Sequence, residues 1–280
     1  MESFKDRYDI TGRVALITGG AGLLGVKHAE AIAEIGGIPI LLDIDEKKAA
    51  TAATEIKDCY KVNASWYKCD ITTYDDVYRV LKQVLSELGR IDILINNAAI
   101  DSKVEDKDTE INTSRFENFD LNHWQNEFNV GVTGSFTCSC IFGSYMAKQG
   151  YGVIVNIGSD LSFIAPNQNI YSSSELAEDE QPVKPFSYSV IKHSIVGLTK
   201  YFSIKFASNG VRVNLLAPAG VWNNKLTDEF VNNLTEYISL GRMANQDDYK
   251  GSIQFLCSDA SSYMTGTNLL VDGGRTTGSV

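Results

Sequence analysis

Proline is scarce in this chain. Five prolines and 23 glycines among 280 residues are too few for a collagen-like or low-complexity disordered polymer. Cysteine is scarce as well. The five, Cys59, Cys69, Cys138, Cys140 and Cys257, are odd in number and show no C-x-x-C spacing, so neither a disulfide framework nor a zinc site is indicated. Unpaired thiols fit a reducing compartment, and a cytoplasmic protein is expected. Positive charge is in deficit: 25 Lys and Arg face 35 Asp and Glu, a net charge of −10. A surface of that sign repels phosphate backbones, so neither nucleic acid nor an anionic membrane is an expected partner. Long apolar runs are missing too. None approaches the roughly 18 residues of a membrane span, and Met1–Arg13 lack the apolar stretch of a signal peptide. What remains is an ordinary globular composition, 44% apolar and 21% charged. A chain of this length buries about three quarters of its unfolded surface and needs no disulfide or metal to hold a core.

Short apolar runs alternate with longer helical patterns. Val14–Ile17 precedes Leu23–Ile35, Ile38–Leu42 precedes Glu46–Ile56, and Ser65–Cys69 precedes Tyr74–Leu88. Ile91–Ile95 leads through a polar segment to a helix near Leu121–Lys148, and Val153–Ile157 precedes another near Phe186–Ala207. Val211–Leu215 and Leu269–Val271 close the series. Strand–helix alternation implies parallel pairing by right-handed crossovers, hence an α/β doubly wound parallel sheet of the Rossmann type. The continuously apolar strands fit a sheet covered on both faces. No linker or repeat divides the chain, so residues 1–280 read as one domain. Two polar stretches interrupt the rhythm, about 101–120, with seven acids and three bases, and about 171–187. Loops of that length in a compact domain are usually functional or disordered.

The first strand runs into Thr18-Gly-Gly-Ala-Gly-Leu-Leu-Gly25, which opens a helix. Gly20-x-Gly22-x-x-Gly25 satisfies the G-x-G-x-x-G pattern in the strand–helix context that gives it meaning. Small residues there permit a tight turn and a close approach to a pyrophosphate, while the helix N-terminus offers free N–H groups to the anion. Asp43 ends the second strand, 21 residues after Gly22. A carboxylate there accepts hydrogen bonds from ribose hydroxyls and repels a 2′-phosphate, so NAD(H) is expected rather than NADP(H). Asp45 is the better candidate to cap the following helix.

Tyr188-Ser-Val-Ile-Lys192 opens an apolar-periodic helix. Its i, i+4 spacing puts phenol and ammonium on one face, one turn apart. A free phenol, with a pKa of about 10, is a poor base at neutral pH, and a neighbouring ammonium favours its ionised form. Such a pair beside a nicotinamide can move a proton to and from a hydroxyl.

With these motifs in place, the sequence resembles the short-chain dehydrogenase/reductase family from about Ile10 to Arg275. Asn96-Asn-Ala-Ala99 is similar to the family's N-N-A-G, with Ala99 for glycine. Val153–Ser159 is similar to the strand that delivers the catalytic serine. Asn129 falls at the helix asparagine, Asp70 at the acid that contacts adenine, Pro218-Ala-Gly-Val221 at the segment bracketing the nicotinamide amide, and Asp272-Gly-Gly274 at the C-terminal signature. The resemblance implies that Tyr188 is the general acid/base, that Lys192 supports it and holds the nicotinamide ribose, and that Ser159 binds the reacting oxygen. It implies that Asn129 places a relay water. It further implies a dinucleotide site of Gly19, Gly22, Leu24, Gly25, Asp43, Asp70, Ile71, Asn97, Ala98, Tyr188, Lys192, Pro218, Gly220 and Val221, a metal-free reaction, and a homotetramer or homodimer.

In the family the tyrosine usually follows the serine by about a dozen residues. Tyr171 stands at that distance, but Glu175 occupies the lysine position, and a carboxylate there would raise a phenol's pKa. Tyr188 is therefore the expected base, with about 171–186 as an insertion. Leu23 stands where the commonest short form has glycine, and the Gly19, Gly22, Gly25 spacing is like that of sugar-nucleotide epimerases. Both polar insertions follow carboxyl ends of strands, where doubly wound sheets bind ligands. With Asn167-Gln-Asn169 they point to a polar substrate such as a sugar or polyol. The loop and insertion together loosely resemble oxidoreductases of surface-glycan and flagellin modification. The expected activity is interconversion of a secondary alcohol and a ketone. The alternatives are an epimerase or dehydratase that retains NAD, and a non-catalytic NAD-sensing protein.

Overall fold

The computed structural model describes residues 4–100, 115–173, 175–178 and 180–278. Among these, seven strands form one parallel sheet: β1 (Val14–Thr18), β2 (Ile38–Asp43), β3 (Ser65–Lys68), β4 (Ile93–Asn96), β5 (Gly152–Ile157), β6 (Val211–Pro218) and β7 (Asn268–Val271). The order is β3-β2-β1-β4-β5-β6-β7. The helices are α1 (Leu23–Glu34), α2 (Glu46–Tyr60), α3 (Tyr74–Leu88), α4 (Leu121–Phe128), α5 (Ser135–Gln149), α6 (Phe186–Ala207), α7 (Asp228–Thr235) and α8 (Lys250–Cys257). The expected doubly wound parallel architecture is present.

Strand alternation divides the core into two layers. Ile17, Ile93, Val153 and Val155 point to the side covered by α1 and α8, where Ile32, Ile253 and Leu256 pack. Leu16, Leu94 and Ile154 point to the other side, onto α3, α5 and α6 through Val77, Val80, Phe142 and Phe202. Because every strand runs the same way, all carboxyl ends lie along one edge. The order reverses between β1 and β4, which opens the crevice where such sheets bind ligands.

Several boundaries differ from the sequence reading. β4 starts at Ile93 rather than Ile91, and β3 ends at Lys68, so Asp70 lies beyond the strand. The helix expected over 121–148 is two helices, α4 and α5, joined by a π turn at Asn129–Gly134. That turn lets glycines approach their neighbours closely. A β-carbon on Gly131 would sit 2.5 Å from Ile191 Cγ2 of α6, and one on Gly134 would sit 2.6 Å from Ile71 Cδ1. Of the two polar insertions, 101–114 lies outside the described residues.

Candidate active site

The loop between β1 and α1 is packed by its glycines. Gly19 has φ +59°, a left-handed conformation that glycine adopts without strain. A β-carbon on Gly25 would fall 2.1 Å from the Gly19 carbonyl oxygen, so the first turn of α1 lies directly on the loop. Gly22 is the N-cap and provides no side-chain cap, which leaves the opening amides of α1 for an anion. A β-carbon on Gly22 would stand 3.2 Å from the same Gly19 oxygen. The loop therefore fits a pyrophosphate.

Asn97 stitches the same loop to the end of β4. Its Nδ2 donates to the carbonyls of Thr18 and Gly19 at 2.9 and 3.0 Å, while Thr18 Oγ accepts from the amides of Asn97 and Ala98, both at 3.0 Å. Its side chain thus shapes the loop. Asp43 is half-buried beside it. Its carboxylate accepts from the Ala21 and Asp45 amides, each at 3.0 Å, and each oxygen keeps a further lone pair for a hydroxyl. Asp45, as expected, caps α2 through the Lys48 amide. Exposed Asp70 turns its carboxylate onto Thr72, with bonds from the amide at 2.9 Å and the hydroxyl at 2.7 Å, and Ile71 is buried next to it. Leu24 is half-buried in the first turn of α1.

β5 delivers Ser159 to the same edge, buried at the N-cap of a short 3-10 turn, Asp160–Ser162, that packs against α6. On α6, Lys192 is buried and its Nζ donates 2.9 Å to the Ile157 carbonyl, two residues before Ser159. That ammonium lies 5.6 Å from the centre of the Tyr188 ring. Tyr188, Lys192 and the Ser159 turn are thus brought together. Asn129 opens the π turn and is exposed. Pro218 ends β6, and the following segment is held by Ala244 N donating to Gly220 O and by a bridge from Val221 to Ala244.

Tyr171 packs elsewhere. Its ring lies 5.4 Å from that of Phe230 on α7, in a small apolar cluster with Ile170 and Leu234. Asn167 and Gln168, whose amides point to a polar substrate in the sequence, hold loops: Asn167 Nδ2 donates to Tyr237 Oη at 3.0 Å, and Gln168 Oε1 accepts from the Lys184 amide at 2.9 Å.

Several contributors were missed by sequence reasoning. Lys184 Nζ sits 4.0 Å from the Tyr188 ring centre, a second cation at that phenol. Asn96 on β4 donates 2.8 Å to Asn156 on β5, which donates 2.9 Å to Thr199 on α6, a buried polar line tying α6 to the sheet. Asp160 follows Ser159 and pairs with Arg275 at 2.5 Å. Asp272 anchors that C-terminal segment. Burial raises its carboxyl pKa, but bonds from the Thr276 hydroxyl and the Thr276 and Gly274 amides outweigh this and hold it below the usual range. An acid directly after the serine was the signal available for the Asp160 pair.

His28 is fully buried and His193 is exposed, its Nδ1 against the Ser189 carbonyl. His123 lies 3.3 Å from Glu127. Among the described residues, no group of three or more His, Cys, Asp and Glu side chains could hold a metal, and no helix is long and apolar enough to cross a membrane.

A family model described as enoyl-(acyl carrier protein) reductase matches residues 20–276. A short-chain type dehydrogenase/reductase from Mycobacterium marinum superposes with a TM-score of 0.84 at 30% identity, covering 99% of this chain and 100% of that one. A gluconate 5-dehydrogenase from Burkholderia cenocepacia J2315, solved with NADP and tartrate, gives a TM-score of 0.85 at 28% identity over 99% and 100%. In sequence, an NAD-dependent glycerol dehydrogenase from Listeria innocua is 28% identical, covering 98% of each chain.

Proposed function

The chain belongs to the short-chain dehydrogenase/reductase family, and on that premise we propose that it is an NAD(H)-dependent oxidoreductase interconverting a secondary alcohol and a ketone on a polyol or sugar-like substrate. The observation that carries the reading is the meeting of Tyr188 and Lys192 on α6 with the Ser159 turn of β5, at the carboxyl edge that also bears the glycine loop. Bound nicotinamide supplies the hydride acceptor or donor. The rest falls to this chain. Tyr188 takes the hydroxyl proton in oxidation and returns it in reduction. Lys192, and Lys184 over the ring, place positive charge where the phenolate forms. Ser159 holds the reacting oxygen, and Asn129 supports a water beside Lys192.

The glycine loop and the start of α1 hold the pyrophosphate, and Asp43 binds the ribose hydroxyls and disfavours a 2′-phosphate. Relatives of both cofactor types exist, so the preference for NAD rests on Asp43. A glycerol dehydrogenase and a gluconate 5-dehydrogenase among the similar proteins support a hydroxyl-rich substrate. Exposed Phe136 on α5 and Tyr201 and Ile204 on α6 support a homo-oligomer, a dimer or tetramer, built on those helices. The five unpaired cysteines fit the cytoplasm.

The test is fluorescence titration with NADH and NADPH, followed by absorbance assays across polyols, sugars and sugar acids. Tighter NADH binding with turnover of one class is the expected result. Tighter NADPH binding would overturn the Asp43 argument. NAD retained through purification without net turnover would mark an epimerase or dehydratase instead.

A further inference from the structure

Two ammonium groups lie at one phenol. Lys192 is buried on α6, its Nζ held 2.9 Å from the Ile157 carbonyl and 5.6 Å from the Tyr188 ring centre. Lys184 comes from outside the helix, at the end of the insertion, and lies closer, with Nζ 4.0 Å from the same ring centre. Its backbone is clamped by one side chain. Gln168 Oε1 accepts from the Lys184 amide at 2.9 Å, and Gln168 Nε2 donates to the Lys184 carbonyl at 3.4 Å. The loop behind it is tied as well. The Gln181 side chain accepts from the Ser173 amide at 2.8 Å and donates to the Ser173 and Leu176 carbonyls at 2.9 and 2.6 Å, while Arg115 donates 3.1 Å to the Gln181 carbonyl. The insertion thus delivers an ammonium to the catalytic ring on an ordered backbone.

We propose that Lys184 is a specificity-determining residue that binds a carboxylate of the substrate, so that the preferred substrate is a hydroxy acid, such as a sugar acid, rather than a neutral polyol. Lys192 already favours the phenolate; a second ammonium at the same ring has its use when a second anion enters. A substrate whose hydroxyl meets Tyr188 can bring a carboxylate one or two carbons further on to Lys184. Without a cation there, that carboxylate would disfavour the phenolate by like-charge repulsion and would lose water without recompense. Lys184 offsets both, through a charge-assisted bond. An ammonium has three N–H donors, so a bond to the substrate is compatible with the other bonds it makes. Acids close by in sequence oppose this little. Asp160 is paired with Arg275, and Glu175, Glu178 and Glu180 of the insertion are exposed, where water and salt screen their repulsion. Selectivity is the difference: the acid makes a bond that the polyol lacks. This inference rests on the role of Tyr188 proposed above.

The test pairs each neutral compound with the acid of the same carbon chain: glycerol with glycerate, glucitol with gluconate, a hexose with its uronate. The wild type should favour the acid of the pair it turns over by about tenfold or more in kcat/KM. Lys184→Met should lower that acid-to-neutral ratio by about tenfold or more, with NADH affinity unchanged within about twofold. Lys184→Arg, which keeps the charge, should retain most of the ratio. Charge lost at Tyr188 acts on both members of a pair and cancels in the ratio. A merely structural role for Lys184 would likewise lower both members alike. The equilibrium constant is fixed, so at a given pH each variant loses equally in oxidation and reduction. If Lys184→Met does not fold, Lys184→Gln, neutral but polar, should show the same fall. A wild type that does not favour the acid, or a ratio unmoved by the neutral substitution, would overturn the inference while leaving the oxidoreductase reading intact. A wild-type protein that binds NADH but turns over no member of any pair would overturn that reading and the inference with it.

Discussion

Lowering the pH should weaken this protein through one residue, His28. It lies within α1 with no exposed surface, and neither ring nitrogen has a hydrogen-bond partner. Burial pushes its pKa down from 6.5 to about 3. Above the unfolded value both states hold a neutral ring, and nothing depends on pH. Below it the unfolded chain takes up a proton that the folded chain refuses, so the unfolded state binds more protons and stability falls with pH. The slope is about 1.4 kcal/mol per unit from roughly 6.5 down to about 3. Between about pH 7.5 and 5 the loss is about 2 kcal/mol, or about 4–8 °C in melting temperature for a chain of this size. The assay is thermal unfolding of the wild type and His28→Leu at both pH values. Carboxylate titration acts on both proteins and cancels in the difference. The variant should therefore lose about 2 kcal/mol less than the wild type on acidification. Parallel pH dependence in the two proteins would refute the reasoning.

Tyr188→Phe should abolish turnover and leave NADH affinity nearly unchanged, whereas Tyr171→Phe, which alters a ring packed on Phe230, should be mild in steady-state assays. Asp43→Ser should improve NADPH binding by about tenfold or more, since it removes a like charge worth on the order of 1–4 kcal/mol at a separation of about 4 Å; paired NADH and NADPH titrations measure it. Gly25→Ala forces a β-carbon to 2.1 Å from the Gly19 oxygen and should cost about 1–3 kcal/mol or more, seen as a lower melting temperature together with weakened NADH binding.

The sheet was legible because Val14–Ile17 and Ile38–Leu42 are continuous apolar runs, and Val153–Ile157 is one but for Asn156, as expected of a parallel sheet covered on both faces. Tyr188 could be told from Tyr171 by the residue four positions on, lysine in one case and glutamate in the other. The π turn at Asn129 was hidden, since apolar periodicity runs through 121–148 and a shift from one helical bond pattern to another leaves no compositional mark. The loop bonds of Asn167 and Gln168 were hidden because an amide's partners are not written in its neighbours along the chain. The partnership of Asp160 and Arg275 joins positions 115 residues apart, a separation about which local pattern carries no information.

That separation has a bearing on how the protein is made. A chain folds as it emerges, N-terminal parts first, so β1, the glycine loop and Asp43 are available while much of the polypeptide is still unsynthesised. The partner of Asp160 arrives only with Arg275, just after β7, Asn268–Val271, pairs along β6. Until then the carboxylate beside Ser159 has no counter-charge and no reason to stay buried. The nucleotide half of the crevice can thus take shape early in translation, while the reacting half is completed only once Arg275 has emerged.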